Sequence, residues 1–188
     1  MELLSLNMQL FHAICGACIF GVGNIPPALL YFSIFCAKYL VYIIPLHIIC
    51  LSLGGGCKNL YFKFNSIAVP LVLALALAIF ISLLIGYIFY EPRPLMIEPN
   101  LALLAHRNSS SFPSNHSIVF SVYIFFLIGN YKELNYIKVI LPLAMMFMIL
   151  TCWARVFTAI HYPIDIIGGN LIGAISWLLI DKLYKKVG

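Results

Sequence analysis

Three short segments hold most of the residues able to do chemistry in this 188-residue chain. They are Glu91-Pro92-Arg93-Pro94, Ser109-Ser110-Ser111-Phe112-Pro113-Ser114-Asn115-His116, and the stretch from Arg155 to Asp165, where Arg155 precedes His161 by six residues and His161 precedes Asp165 by four. A histidine and an aspartate four apart share a helix face where the turn between them is helical, but Pro163 disfavours a continuous helix there. The alternative is that Asp165 heads the next helix and hydrogen-bonds one imidazole nitrogen, which fixes the tautomer and raises the basicity of the other. Two histidines with several arginines suit phosphoryl transfer. One imidazole attacks phosphorus, the other protonates the leaving oxygen, and guanidinium forks hold the equatorial oxygens. Hydrolysis at a bound Zn²⁺ or Mg²⁺ is the competing chemistry, and it fits less well because three arginines already supply the positive charge a metal would bring. Pro113-Ser114-Asn115-His116 also opens a helix, whose free amides and dipole can receive an anion.

The elements that must position these segments are membrane helices. The chain is 63% hydrophobic and 9% charged, with a mean hydropathy of +1.04, against about 45–50% apolar and about 25% charged in a soluble domain. That excludes a soluble globular domain, a disordered tail, a secreted disulfide scaffold and a nucleic-acid-binding module. Five spans are expected: 25–53, apolar apart from Lys38, 64–90, 114–129, 139–154 and 166–180. Residues 1–24, where Asn7, Gln9 and His12 interrupt the apolar residues, read as an amphipathic helix lying in the interface, with a sixth span as the alternative. No Lys or Arg precedes Lys38, so the start lacks the basic region of a cleavable signal peptide. The six cysteines lie in or beside apolar runs and read as small buried hydrophobes. Cys15-Gly-Ala-Cys18 has redox-motif spacing without the surrounding βαβ pattern. The expected architecture is an all-α polytopic bundle forming one integral membrane domain, 1–188, with its catalytic core over 64–182.

The basic residues divide by type across the membrane. Lys58, Lys63, Lys132, Lys138, Lys182, Lys185 and Lys186 fall on one side, which the positive-inside rule makes cytoplasmic together with the C-terminus. Arg93, Arg107 and Arg155 all fall on the other side, with His106, His116, His161 and Asp165. A plain anchor has no reason to collect every arginine and three of five histidines on its outer face. One outward-facing polar site is the expectation.

Arg93-Pro94, then Pro113-Ser114-Asn115-His116, then Arg155, His161 and Asp165 resemble, in order and spacing, the three motifs of the type 2 phosphatidic acid phosphatase superfamily. The resemblance runs from about Ile67 to the C-terminus. The strings Tyr90-Glu91-Pro92-Arg93-Pro94, Ser111-Phe112-Pro113-Ser114 and His161-Tyr162-Pro163-Ile164-Asp165 are similar in particular to the BcrC-type undecaprenyl diphosphatase subgroup. The resemblance implies that His161 is the nucleophile that forms a phosphohistidine, Asp165 its orienting partner and His116 the general acid. It implies that Arg93, Arg155, Ser114 and the Asn115 backbone bind phosphate oxygens, without a metal or other cofactor. It implies hydrolysis of undecaprenyl diphosphate to undecaprenyl phosphate in the bacterial cell membrane, recycling the carrier for wall synthesis. The alternatives are another lipid phosphatase or phosphotransferase of the same superfamily, acting on phosphatidylglycerophosphate, phosphatidate or a lipid A phosphate, and, from another class, a transporter. The expected partners are the membrane-embedded polyprenyl diphosphate and the bilayer, with no nucleic acid and no protein partner.

Two positions depart from the family pattern. Asn115 stands where the second motif usually has Gly, a change the subgroup tolerates. Gly86 stands seven residues before Arg93, where the first motif usually begins with a phosphate-binding Lys. Lys38 is a candidate replacement: it lies 16 residues from Gly54, as His116 does from Lys132 and Asp165 from Asp181, so each sits about 24 Å above the cytoplasmic boundary. A lysine at that depth faces a polar cavity or snorkels to the outer head groups. Helices of about 16 residues fall short of a hydrocarbon core of about 30 Å, which puts the site near or below the outer head groups and suits a substrate whose tail stays in lipid. Arg107 joins the phosphate-binding candidates, solvation of Arg107 and His106 being the alternative. Glu91 is read as a structural partner of Arg93, His12 and His47 as packing or interfacial residues, and Gly54-Gly55-Gly56 as a turn.

Overall fold

The computed structural model describes residues 2–21, 23–53, 58–104, 109–131 and 137–187, with side chains for all of these except 2–4, 48, 50–53, 58–67 and 187. The glycine turn at 54–56, Lys132, His106 and Arg107 lie outside the described residues. Among those described, the secondary structure is helical throughout: α1 (Glu2–Ile14), α2 (Gly16–Phe20), α3 (Pro27–Lys38), α4 (Ile43–Leu53), α5 (Lys58–Ile88), α6 (Pro94–Ile97), α7 (Asn115–Gly129), α8 (Ile137–Phe157) and α9 (Pro163–Val187), with 3₁₀ turns at Leu40–Tyr42 and Pro99–Leu101. The protein is an all-α membrane bundle. Among the described residues four stretches are long and apolar enough to cross a bilayer, Pro27–His47, Ala68–Ile88, Ile137–Phe157 and Pro163–Lys186, and Asn115–Gly129 is a shorter apolar helix among them.

The first expected span is not one straight helix. Pro45 has no N–H for the carbonyl four residues back and its ring crowds that carbonyl, so the α-helix stops at Lys38 and resumes at Ile43 after the 3₁₀ turn. Pro70 removes one such bond inside α5 without ending it.

α7 is buried nearly all round, through Ser117, Ile118, Phe120, Ser121, Val122, Tyr123, Ile124, Phe126 and Leu127. It is the centre of the bundle, with α9, α8 and α5 packed on it and α3 on the far side of α8. In lipid the helices gain little from burying apolar surface, so association rests on close backbone approach. Gly169 and Gly173, one turn apart on α9, provide it. A Cβ on Gly169 would lie 2.6 Å from Ser114 O, and one on Gly173 2.6 Å from Ile118 O. Between them the Ser121 hydroxyl donates to Asn170 O at 2.7 Å. The outward faces carry Phe80, Leu83, Tyr87 and Ile149, an apolar surface that belongs in hydrocarbon.

The first two helices lie across the ends of α8 and α9. Phe11, Cys15 and Ala17 pack against Val156, Ala159 and Tyr162, and Leu6, Leu10, Ile19 and Phe20 are left exposed.

Candidate active site

The end of α8 is the local structure on which the site is built. Ala159 N–H donates to Val156 O at 3.0 Å and Ile160 N–H to Arg155 O at 3.1 Å, the paired bonds that close a helix through a left-handed residue. That residue is Ala159, at φ 56°, where glycine is usual because a Cβ costs about 1–2 kcal/mol. Buried packing against α1 and α2 holds it there. The reversal turns His161 back toward the Arg155 side chain one turn earlier, and α9 then starts with Pro163 at its first position, which needs no N–H.

His161 is 1% exposed, and both its ring nitrogens are engaged. Its Nε2 lies 3.1 Å from Arg93 Nη1 and 3.0 Å from Arg155 Nη2. Its Nδ1 lies 3.3 Å from Asp165 Oδ2. Guanidinium groups only donate, so Nε2 presents its lone pair to them and the ring proton sits on Nδ1, facing the carboxylate. The imidazole is thus held as the tautomer protonated on Nδ1, with two cations beside the lone pair of Nε2. Of the two candidate relations between His161 and Asp165, the structure has the second: Asp165 heads α9 rather than sharing a continuous helix with His161.

Asp165 is fully buried, and Oδ2 gathers its donors. They are the Ser111 hydroxyl, Tyr162 N–H at 2.8 Å and the His161 ring; Oδ1 has no protein partner. Ser111 is a site residue the sequence reading left without a role, although it stands inside the quoted second motif. The signal was the chemistry of Asp165: a buried carboxylate needs several donors, and a hydroxyl three residues before Ser114 was available. The Asp165 main chain ties in the same segment, since Ser114 N–H donates to its carbonyl at 3.1 Å.

Arg93 is 5% exposed, and its guanidinium makes four hydrogen bonds to protein oxygens besides the contact of Nη1 with Nε2. Nε donates to Ser109 O, Nη1 to Ile160 O, and Nη2 to Ser109 Oγ and Ser110 O, at 2.9–3.2 Å. It therefore joins all three motif segments as well as pointing at Nε2. Burial lowers its pKa from the ordinary value, opposed by the nearby Asp165 and Tyr90. Arg155 is 4% exposed and spans from Nε2 to Ala37 O at 3.2 Å. Ala37 lies ten residues into the span that starts at Pro27, about 15 Å along the helix, so the site is recessed from the Pro27 end of α3.

On the α7 side, Ser114 is the N-cap without a side-chain bond to the helix, and its buried hydroxyl has no protein partner. It is available to a phosphoryl oxygen. Asn115 is exposed and accepts from the Ser82 hydroxyl at 2.6 Å. His116 is half-buried in the first turn of the same helix.

Other expected residues are placed differently. Lys38 is exposed on α3, in register with Tyr31, Phe35 and Tyr42, all at least half exposed, so it faces outward from the bundle. Ala37 against Arg155 agrees with the depth expected of Lys38, but depth along a helix does not determine direction around it. Glu91 makes no ion pair with Arg93 among the described residues; its main chain does the structural work, Glu91 O accepting from Ser111 N–H at 2.7 Å and its N–H donating to Ser110 Oγ at 3.2 Å. Burial raises the Glu91 carboxyl pKa. His47 is bonded to the Tyr123 hydroxyl, linking α4 to α7. Among the described residues no three His, Cys, Asp or Glu side chains converge as a metal ligand set.

The family model of the PAP2 superfamily matches residues 67–188. The chain belongs to that superfamily. It is 27% identical over 185 residues to YbjG of Escherichia coli, covering 98% of this chain and 85% of that protein. It is 26% identical over 179 residues to undecaprenyl-diphosphatase BcrC of Bacillus subtilis, covering 93% and 82%. Its fold superposes with a TM-score of 0.74, at 18% identity, on the transmembrane PAP2 type phosphatidylglycerolphosphate phosphatase from Bacillus subtilis, covering all of this chain and 88% of the other. The protein is a multi-pass membrane member of the PAP2 lipid phosphatases. The structure also shows what fills the place of the missing PAP2 lysine: a Cβ on Gly86 would lie 3.2 Å from Ser110 Cβ and 3.8 Å from Phe112 O, so the second-motif loop occupies that space.

Proposed function

We propose that this PAP2 protein hydrolyses undecaprenyl diphosphate to undecaprenyl phosphate and inorganic phosphate. The observation that carries the reading is His161 held between Asp165 on one ring nitrogen and the two guanidinium groups on the other. Nε2 attacks the terminal phosphorus, an N–P bond forms as the P–O bond to the lipid phosphate breaks, and His116 gives its proton to the leaving oxygen. The imidazolium that results is stabilised by Asp165. Water, deprotonated by His116, then attacks the phosphohistidine and releases phosphate. Arg93, Arg155, the Ser114 hydroxyl and the first amides of α7 hold the three transferring oxygens. These cations supply the charge compensation, so the reaction needs no metal.

Similarity to an undecaprenyl-diphosphatase over most of the chain supports the polyprenyl substrate, and a site recessed among apolar helices suits a lipid whose tail remains in the bilayer. The bacterial relatives support a bacterial cell membrane location, and the lysine distribution supports a cytoplasmic C-terminus with the site facing outward. The second reading, supported by 29% identity over 96 residues to phosphatidylglycerophosphatase B of Bacillus subtilis, is a phosphatase for another lipid.

Phosphate release by the detergent-purified protein in EDTA, from undecaprenyl diphosphate, phosphatidylglycerophosphate and phosphatidate, tests both. Release from the polyprenyl diphosphate alone, abolished in His161→Ala, is the expected result. Preference for another lipid would overturn the substrate and keep the mechanism. An unimpaired His161→Ala would overturn the mechanism.

A further inference from the structure

At the start of α9 the amides of four residues, from Tyr162 just before the helix to Asp165, can be accounted for one by one. Tyr162 N–H donates to Asp165 Oδ2 at 2.8 Å, Pro163 has none, and Asp165 N–H donates to Tyr162 O at 3.1 Å. Ile164 N–H is the remaining one, and its acceptor comes from the other end of the chain: Asn7 Oδ1, at 3.1 Å. Helix starts are usually capped by a short polar side chain just before them; Tyr162 occupies that place here and has no such acceptor. Asn7 supplies the missing cap from α1. Around it, Phe11 is buried with its ring edge-to-face with Tyr162, centroids 5.3 Å apart, and Cys15 and Ala17 close over Ala159. The strained turn that presents His161 is therefore covered and capped by a segment that lies outside the matched family region.

We infer that Asn7 is a positioning residue for His161 and Asp165, and that α1 is a working part of the active site. The bond to Ile164 fixes the first turn of α9, and that turn carries the carboxylate that orients the imidazole. Removing the acceptor leaves a half-buried N–H unsatisfied at the point where the His161 loop joins the helix. The loop is then free to shift, and Nε2 moves relative to the phosphate held by α7 and the arginines. Substrate capture depends on those other groups, so kcat falls and KM does not. This rests on the catalytic role given above to His161.

The test compares Asn7→Leu, similar in size and without an acceptor, with Asn7→Asp, which keeps the acceptor and suits a helix N-terminus. Two readouts are taken: hydrogen exchange over residues 158–168, and kcat and KM for phosphate release per folded molecule. In Asn7→Leu, faster exchange and a roughly tenfold lower kcat at unchanged KM are expected, the scale of one hydrogen bond left unmade. Asn7→Asp restores both to within about threefold, the range expected when the bond survives. Exchange in Asn7→Leu at the wild-type rate, a wild-type kcat despite faster exchange, or no rescue by aspartate would each overturn the inference. If the wild type releases no phosphate from any lipid, the proposed activity falls, and exchange with its rescue by aspartate still decides whether Asn7 holds the loop.

Discussion

Gly169→Ala tests whether the seam between α7 and α9 sets the catalytic geometry. The added Cβ would lie 2.6 Å from Ser114 O and 3.0 Å from Ser117 Cβ, where ordinary contact starts at 3.4 Å. The nearer atom is backbone and cannot rotate away, so the two helices must part by about 0.8 Å at this level to restore ordinary contact. The bond from Ser114 N–H to Asp165 O, now 3.1 Å, would open beyond hydrogen-bonding range. Ser114 and His116 ride on one helix and Asp165 on the other, so the phosphate cradle and the nucleophile separate by the same amount. A misplacement near 1 Å costs on the order of 100-fold in rate, so kcat should fall between about 10- and 100-fold, with a stability loss of about 1–3 kcal/mol from overpacking. Gly173→Ala is the control: its Cβ would be equally close to Ile118 O, but one turn, about 6 Å, further from the site. Phosphate release per folded molecule and thermal unfolding in detergent provide the measurement. The reasoning fails if Gly169→Ala keeps the wild-type kcat, or if Gly173→Ala loses as much activity with the same loss of stability.

Arg155→Lys keeps the charge but cannot reach both Ala37 O and His161 Nε2, so one charge-assisted bond of about 1.5–3 kcal/mol is lost and kcat should drop about 10- to 150-fold; a wild-type rate would show that the fork is unnecessary. Lys38→Ala should leave kcat and KM unchanged, because the side chain lies on the outward stripe with Tyr31, Phe35 and Tyr42; a raised KM for the diphosphate would return Lys38 to the site. Glu91→Gln should unfold at a higher temperature than the wild type at pH 7.5 and at the same temperature near pH 4. Burial raises the folded pKa of Glu91, so the ionised wild type is penalised above that value and the penalty disappears as pH falls below the ordinary carboxylate value. Equal unfolding temperatures at both pH values would refute it.

The apolar helices and the family were legible in the order of residues. Hydropathy is summed locally, and Arg93, His116, Arg155, His161 and Asp165 stand at spacings set by helix ends. The kink at residues 39–42 has a local signal in Pro45, but a continuous apolar run hides it. Ser111 and Asn7 were harder, since nothing in Ser-Phe-Pro-Ser or in an amphipathic start says which buried donor or acceptor will need them.

The sequence by itself determined that this is an all-α membrane protein with a His/Asp/Arg phosphoryl-transfer constellation, because length, polarity and residue chemistry are local properties of the chain. Only the tertiary structure decided that His161 Nε2 faces the two arginines while Nδ1 faces Asp165, that Lys38 faces outward, that Ser110 fills the space beside Gly86, and that α1 caps the start of α9. Each of these depends on direction around a helix axis or on a pairing between distant segments. Those are set by how closely α7, α8 and α9 can approach, and neighbouring residues carry no record of it.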